Sequence, residues 1–186
     1  MKKILFLASG SGSNIENIFH FFKQNNEEID FSIVSNRKNA GVFERANRLE
    51  IPITHFSKEN FSDGSFKRFV EQLKPDLIVL AGFLLMFPED IVKLFPNKVV
   101  NIHPALLPSY GGKGMYGMNV HNAVLENKES VTGITIHYVN ENYDEGEIIL
   151  QAQTDITLCK TAEQIAEKVH YLEYEHFPKV IAQLLK

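Results

Sequence analysis

The chain has 186 residues, 44% of them hydrophobic, and a formal charge of −4 from 19 basic and 23 acidic side chains. This length suits one well-filled core and is too short for two ordinary domains, so a single domain over 1–186 is expected. The scattered basic residues exclude the clustered basic surface a nucleic-acid partner needs, and no apolar run approaches the roughly 20 residues that cross a bilayer, so no membrane partner is expected.

The opening Met1-Lys2-Lys3 leads into a short apolar run that flows straight into a glycine-serine loop, which reads as a first core strand over 4–8 and not as a signal peptide. That loop, Ser9-Gly10-Ser11-Gly12-Ser13-Asn14, precedes a helix predicted over 14–23. Small residues there let backbone N–H groups approach an anion at the helix's positive end, and phosphate is the natural ligand. Ile15 stands where a dinucleotide fingerprint has its third glycine, the second strand ends in Ser35-Asn36 without an acid, and no Gly-Lys-Ser/Thr follows. A monophosphate therefore suits the loop better than NAD or ATP. The competing reading is a tight turn whose serines cap the helix.

Further strands are predicted over 31–35, 52–56, 77–81 and 99–102, alternating with helices over 42–49, 61–73 and 89–94. This is the pattern of a parallel sheet with helices on both faces. Later, 133–139 and 147–151 lie close together with a turn between them, which predicts an antiparallel pair added to the sheet. The expected fold is a single-domain, Rossmann-like α/β, mostly parallel with an antiparallel C-terminal strand pair. Cys159 is the only cysteine, which excludes an internal disulfide and a thiolate metal site and fits a reducing cytoplasm. Thr161 and Gln164 have capping-box spacing at the start of a last helix carrying Ile165, Val169, Leu172, Val180, Ile181 and Leu184, with a kink expected at Pro178.

The densest chemistry lies in Asn101-Ile102-His103-Pro104. Alternate residues of a strand share a face, so Asn101 and His103 point the same way. An amide can donate to a carbonyl gaining negative charge, and a histidine can move a proton at neutral pH. Asp144, if near His103, would favour the charged ring and raise its pKa. Alone, a His-Pro pair at a strand end reads as a turn.

Gly10-Ser11-Gly12-Ser13-Asn14, Leu80-Ala81-Gly82-Phe83, Asn101-Ile102-His103-Pro104-Ala105-Leu106-Leu107-Pro108 and Asp144-Glu145-Gly146-Glu147-Ile148-Ile149 follow one another in the order seen in the folate-dependent formyltransferases. The chain resembles that family from residue 2 to about residue 182, specifically its members that act on glycinamide ribonucleotide. The resemblance implies a cytoplasmic enzyme of purine biosynthesis. It would pass a formyl group from 10-formyltetrahydrofolate to the amine of glycinamide ribonucleotide, with small-molecule substrates, no metal, and a monomeric or homodimeric state. Asn101 would steady the formyl oxygen, His103 would shuttle the proton, and Asp144 would hold and polarise His103. Gly12, Ser13, Asn14, His170 and Glu173 are implied to bind the ribonucleotide. Leu84, Leu85, Met86 and Phe87, with Asn101, Asn140, Glu141, Asn142, Tyr143 and Asp144, are implied to bind the folate.

The chain departs from the family where many members carry arginine and it has Leu85, and where a basic residue often stands near Asp63. Lys58, Lys67 or Arg68 are the expected substitutes. The segment Tyr110-Gly111-Gly112-Lys113-Gly114-Met115-Tyr116-Gly117 is longer than the family's common loop, and its four glycines predict a mobile loop over the site, with Lys113 available to an acidic group. Alternatives are a formyltetrahydrofolate hydrolase, a transferase with another amine acceptor, and a non-catalytic phosphate- or folate-binding module. The first two would be expected to carry an additional domain.

Overall fold

The computed structural model describes residues 1–186. The elements in chain order are β1 (Lys2–Leu7), α1 (Ser13–Gln24), β2 (Ile29–Ser35), α2 (Val42–Arg48), β3 (Ile53–His55), α3 (Ser65–Leu73), β4 (Leu77–Leu80), α4 (Glu89–Leu94), β5 (Val99–His103), α5 (Met118–Glu126), β6 (Val131–Tyr138), β7 (Ile148–Asp155) and α6 (Ala162–Leu184). The seven strands form one sheet in the order β3-β2-β1-β4-β5-β6-β7. The pairs from β3 to β5 are parallel, and β5–β6 and β6–β7 are antiparallel. The mixed sheet is as expected.

Strand periodicity divides the core between the two faces. Ile4, Phe6 and Ala8 join Leu77, Val79, Ala81, Val100 and Ile102 in a larger cluster, while Leu5 and Leu7 join Ile78, Leu80 and Val99 in a smaller one. A strand apolar on both faces can only be central, which is why β1 and β4 lie mid-sheet. Asn101 and His103 share the parity of Val99, so they extend the smaller face past its apolar layer, at the C-terminal end of β5. The chain turns leftward from β1 to β2 and rightward to β4, which opens a crevice beyond the strand ends at the reversal.

One expected helix is corrected at its start, and one helix was not expected. The helix predicted over 61–73 starts only at Ser65, because Glu59–Phe61 forms a separate 3₁₀ turn and Gly64, at φ 82°, breaks the run. The helix α5 was not expected. Its buried face is only Val120, His121 and Val124, too little apolar periodicity to register after a glycine-rich loop. Finally, α6 runs unbroken from Ala162 to Leu184 with Pro178 inside it. Its start is as predicted, since Thr161 Oγ1 accepts from the Gln164 N–H and Gln164 Oε1 accepts from the Lys160 N–H. No helix is long and apolar enough to cross a membrane.

Candidate active site

A cavity of about 700 Å³ occupies the crevice. Its walls come from the loop after β1 (Ser9 to Asn14), the segment after β4 (Ala81 to Phe87), the end of β5 (Asn101 to Pro104), the loop before α5, the β6–β7 turn, and α6 through Ala166, His170 and Glu173.

At one end the strand register does the assembling. Asn101 on β5 pairs with His137 on β6, and His103 with Thr135. Asn101 Nδ2 lies 3.2 Å from His137 Nε2 and 3.5 Å from Asp144 Oδ1. His137 Nδ1 is 2.8 Å from the Tyr138 carbonyl, which can only accept, so the proton sits on Nδ1 and Nε2 is the acceptor for Asn101. By the same logic His103 donates from Nε2 to the Tyr110 carbonyl at 2.7 Å, which leaves its Nδ1 lone pair 3.6 Å from Asp144 Oδ2. Asp144 sits at φ 55° in the β6–β7 loop, and its Oδ2 accepts from the Gly112 N–H at 2.9 Å. Gly146 makes this loop possible, because a Cβ there would collide with the Tyr138 carbonyl oxygen.

The three residues expected to act together are thus brought together, but the electrostatics differ from expectation. Burial holds the His103 ring below its ordinary 6.5; Asp144 and the Tyr110 carbonyl push the other way and do not overcome it. Burial also pushes Asp144 upward, yet the His137 and His103 rings, when they carry a proton toward it, and the Gly112 N–H outweigh it and keep its carboxyl below 3.8. Near neutral pH the pair is therefore a carboxylate facing a neutral imidazole. Thr135, fully buried, braces the chain after His103: its hydroxyl donates to the Ala105 carbonyl at 2.7 Å and accepts from the Leu107 N–H at 3.0 Å and Gln151 Nε2 at 2.9 Å.

The other end joins remote parts of the chain. Gly12, at φ 76°, opens α1 without any side-chain cap, so the reading in which serines cap this helix is not realised. Asn14 Nδ2 donates to Glu173 Oε2 at 2.9 Å, and His170 Nδ1 donates to the same oxygen at 2.9 Å. This bond to Glu173 outweighs burial and raises the His170 pKa above 6.5. Glu173 is 5% exposed, on the apolar stripe of α6 between Val169 and Phe177. An acid at a stripe position was the available signal for its burial.

Leu84, Leu85, Met86 and Phe87 line the cavity, as do Asn140, Asn142, Tyr143 and Asp144. Phe87 is buried against Phe66 and belongs mainly to the smaller core. Glu141, between them in the chain, is exposed and is not among the lining residues. Ser9 ties the two halves together, donating to Asn36 Oδ1 at 2.6 Å and accepting from the Leu84 N–H at 2.9 Å. Lys58, Lys67 and Arg68 are not on the walls, and Lys67 pairs with Asp90 at 3.1 Å; the cations that do line the cavity are Arg37 and Lys113. His137, His121 and Arg37 were missed. His137 alone had a usable signal, the alternation Gly133, Thr135, His137 that puts it opposite Asn101 once β6 pairs with β5.

Residues 2–181 match the family described as Formyl transferase. The phosphoribosylglycinamide formyltransferase of Bacillus subtilis is 36% identical over 191 residues, covering 100% of this chain and 95% of that protein. The chloroplastic phosphoribosylglycinamide formyltransferase of Arabidopsis thaliana is 38% identical over 190 residues, and the chain spans 65% of that relative's length. Glycinamide ribonucleotide transformylase 1 from Geobacillus kaustophilus superposes with a TM-score of 0.89 at 31% identity, with both chains fully covered (100% each). By fold and sequence alike, the chain belongs to the formyl transferase family, among its phosphoribosylglycinamide formyltransferases.

Proposed function

We propose that this protein transfers the formyl group of 10-formyltetrahydrofolate to the amine of glycinamide ribonucleotide, a step in making purines. The observation that carries the reading is the meeting of Asn101, His103 and Asp144 in a single cavity whose other wall is the uncapped glycine loop. Uncapped N–H groups and the helix dipole suit a phosphate, and Glu173 suits hydroxyl donors of a ribose. The apolar arm at Leu84 to Phe87, with Asn140 and Tyr143, suits a flat heterocycle.

In this mechanism the neutral amine attacks the formyl carbon, a C–N bond forms, and the carbonyl electron pair moves onto the formyl oxygen. Asn101 Nδ2 carries two hydrogens. One is held by His137 Nε2, and the other has only a long approach to Asp144, so it is free to turn to the new oxyanion. His103 Nδ1, the unprotonated nitrogen, takes the proton released by the amine. The resulting imidazolium lies beside the Asp144 carboxylate, 3.6 Å away, and returns its proton to the folate nitrogen as the old C–N bond breaks. The products are the N-formylated acceptor and tetrahydrofolate.

The test is a formyl-transfer assay with purified protein, following loss of the formyl donor with and without glycinamide ribonucleotide. Acceptor-dependent loss, abolished in His103→Ala, is the expected result. Acceptor-independent loss would make the protein a hydrolase, and folate binding without loss would make it a binding module.

A further inference from the structure

Only two buried side-chain polar atoms in the whole chain lack a hydrogen-bond partner, Asn14 Oδ1 and His121 Nδ1. Both residues line the same cavity. Buried polar groups without a partner are rare and costly, so two of them on one wall point to a ligand that completes them.

Their chemistry is specific. The Asn14 amide is oriented by its Nδ2 bond to Glu173, which leaves Oδ1 as an acceptor only. Glu173 is also an acceptor. This end of the cavity therefore already meets a ligand's donors with two acceptors. His121 is different. It is 4% exposed, and burial, then the charge of the neighbouring His170, hold it below its ordinary 6.5 against the pull of Glu173. The ring is therefore neutral and keeps one N–H to give. In the proposed function His103 carries the proton and Glu173 marks the ribose end, and His121, on α5, lines the same cavity as both.

We infer that His121 is a substrate-positioning residue whose ring N–H donates to the carboxamide carbonyl oxygen of the acceptor, the group lying between the reacting amine and the ribose. The inference rests on the proposed function, since it takes glycinamide ribonucleotide as the acceptor. Holding that carbonyl fixes the short arm that carries the nucleophile, so the amine is presented to the formyl carbon at a set angle. Asn14 Oδ1 meets a donor on the ribose side of the same arm. The β5 and β6 groups set the geometry at the formyl carbon; His121, from α5, sets it at the amine.

Calorimetric titration of glycinamide ribonucleotide, and of an analogue with the carbonyl reduced to methylene, into wild type, His121→Phe and His121→Gln tests this. The wild type should bind the true acceptor about 10-fold more tightly than the analogue, the value of one good hydrogen bond in a desolvated site. His121→Phe should lose that discrimination and raise the acceptor KM by a similar factor, with the folate KM unchanged. His121→Gln, which keeps a donor, should recover much of it. A purely structural His121 predicts a lower Tm in His121→Phe; because Nδ1 has no protein partner to lose, the ligand role predicts a Tm held or raised. Equal acceptor affinity in wild type and a folded His121→Phe, or discrimination that survives the substitution, would overturn the inference. Should His121→Phe not fold, the wild-type imidazole ¹⁵N signals, assigned by their loss in His121→Gln, decide: a His121 shift on adding the acceptor but not the analogue supports it, and no difference refutes it. No binding of the acceptor by the wild type would instead sink the proposed function.

Discussion

The two ends of the cavity are built on different principles. The end proposed for formyl transfer is local: adjacent strands set Asn101 opposite His137, and backbone groups of Tyr110, Gly112 and Tyr138 fix the tautomers and the carboxylate. The end proposed for the ribonucleotide is assembled across 159 residues of chain, from Asn14 to Glu173, and leaves polar atoms unmet. Chemistry needs groups already aimed before the substrate arrives, whereas recognition can leave bonds for the substrate to complete.

The largest expected effect sits at the preorganised end. Asn101→Ala should lower kcat by about 10²–10³-fold, the usual loss for one oxyanion donor, with Tm close to wild type. A drop confined to KM would place Asn101 in binding and blur the distinction between the ends. At the other end, Glu173→Ala should act chiefly on the acceptor KM, by roughly 10-fold or more, and should also destabilise the fold by about 1–3 kcal/mol because Asn14 Nδ2 loses its buried partner. Steady-state kinetics varying each substrate, with thermal melts, would show this, and a matching rise in the folate KM would contradict the separation.

His137→Gln should have a smaller effect, lowering kcat by roughly 5-fold, about the worth of one neutral hydrogen bond that orients Asn101. An unchanged kcat would show that Asn101 needs no such guide. The subtlest test is pH. In the proposed mechanism His103 must be neutral to accept a proton, and its pKa is depressed, so kcat/KM should fall only as pH drops below 6.5. Asp144 raises that pKa, so Asp144→Asn should move the acid limb to still lower pH while lowering the rate; a limb that moves upward would contradict the assigned electrostatics. The buried neutral rings His103 and His121 also bear on stability, since the unfolded chain takes up protons near 6.5 that the folded one refuses. Their contribution is present above that pH and is lost as pH falls toward the depressed folded values.

Much of the first end was legible. Alternation placed Asn101 and His103 on one face, and the loop carrying Asp144 followed a recognisable strand. The direction of the His103 shift was not legible, because whether a carboxylate or burial dominates depends on how much water reaches the ring, and no sequence pattern reports that. His137 became visible only with the pairing of β6 on β5. The replacements for the absent arginine were sought at Lys58, Lys67 and Arg68, near in sequence to the departures, while the cations on the walls are Arg37 and Lys113, brought in from other crevice loops.

What the sequence determined by itself was therefore whatever short-range periodicity encodes: the doubly apolar strands that must be central, the glycine loop before α1, the capped start of α6, and the family. What only the tertiary structure decided was the meeting of Asn14 with Glu173, the burial that keeps His103 and His121 neutral, and the atoms left for a ligand to satisfy. Those depend on distances between segments far apart in the chain and on solvent exclusion, and both arise only when the layers close over one another.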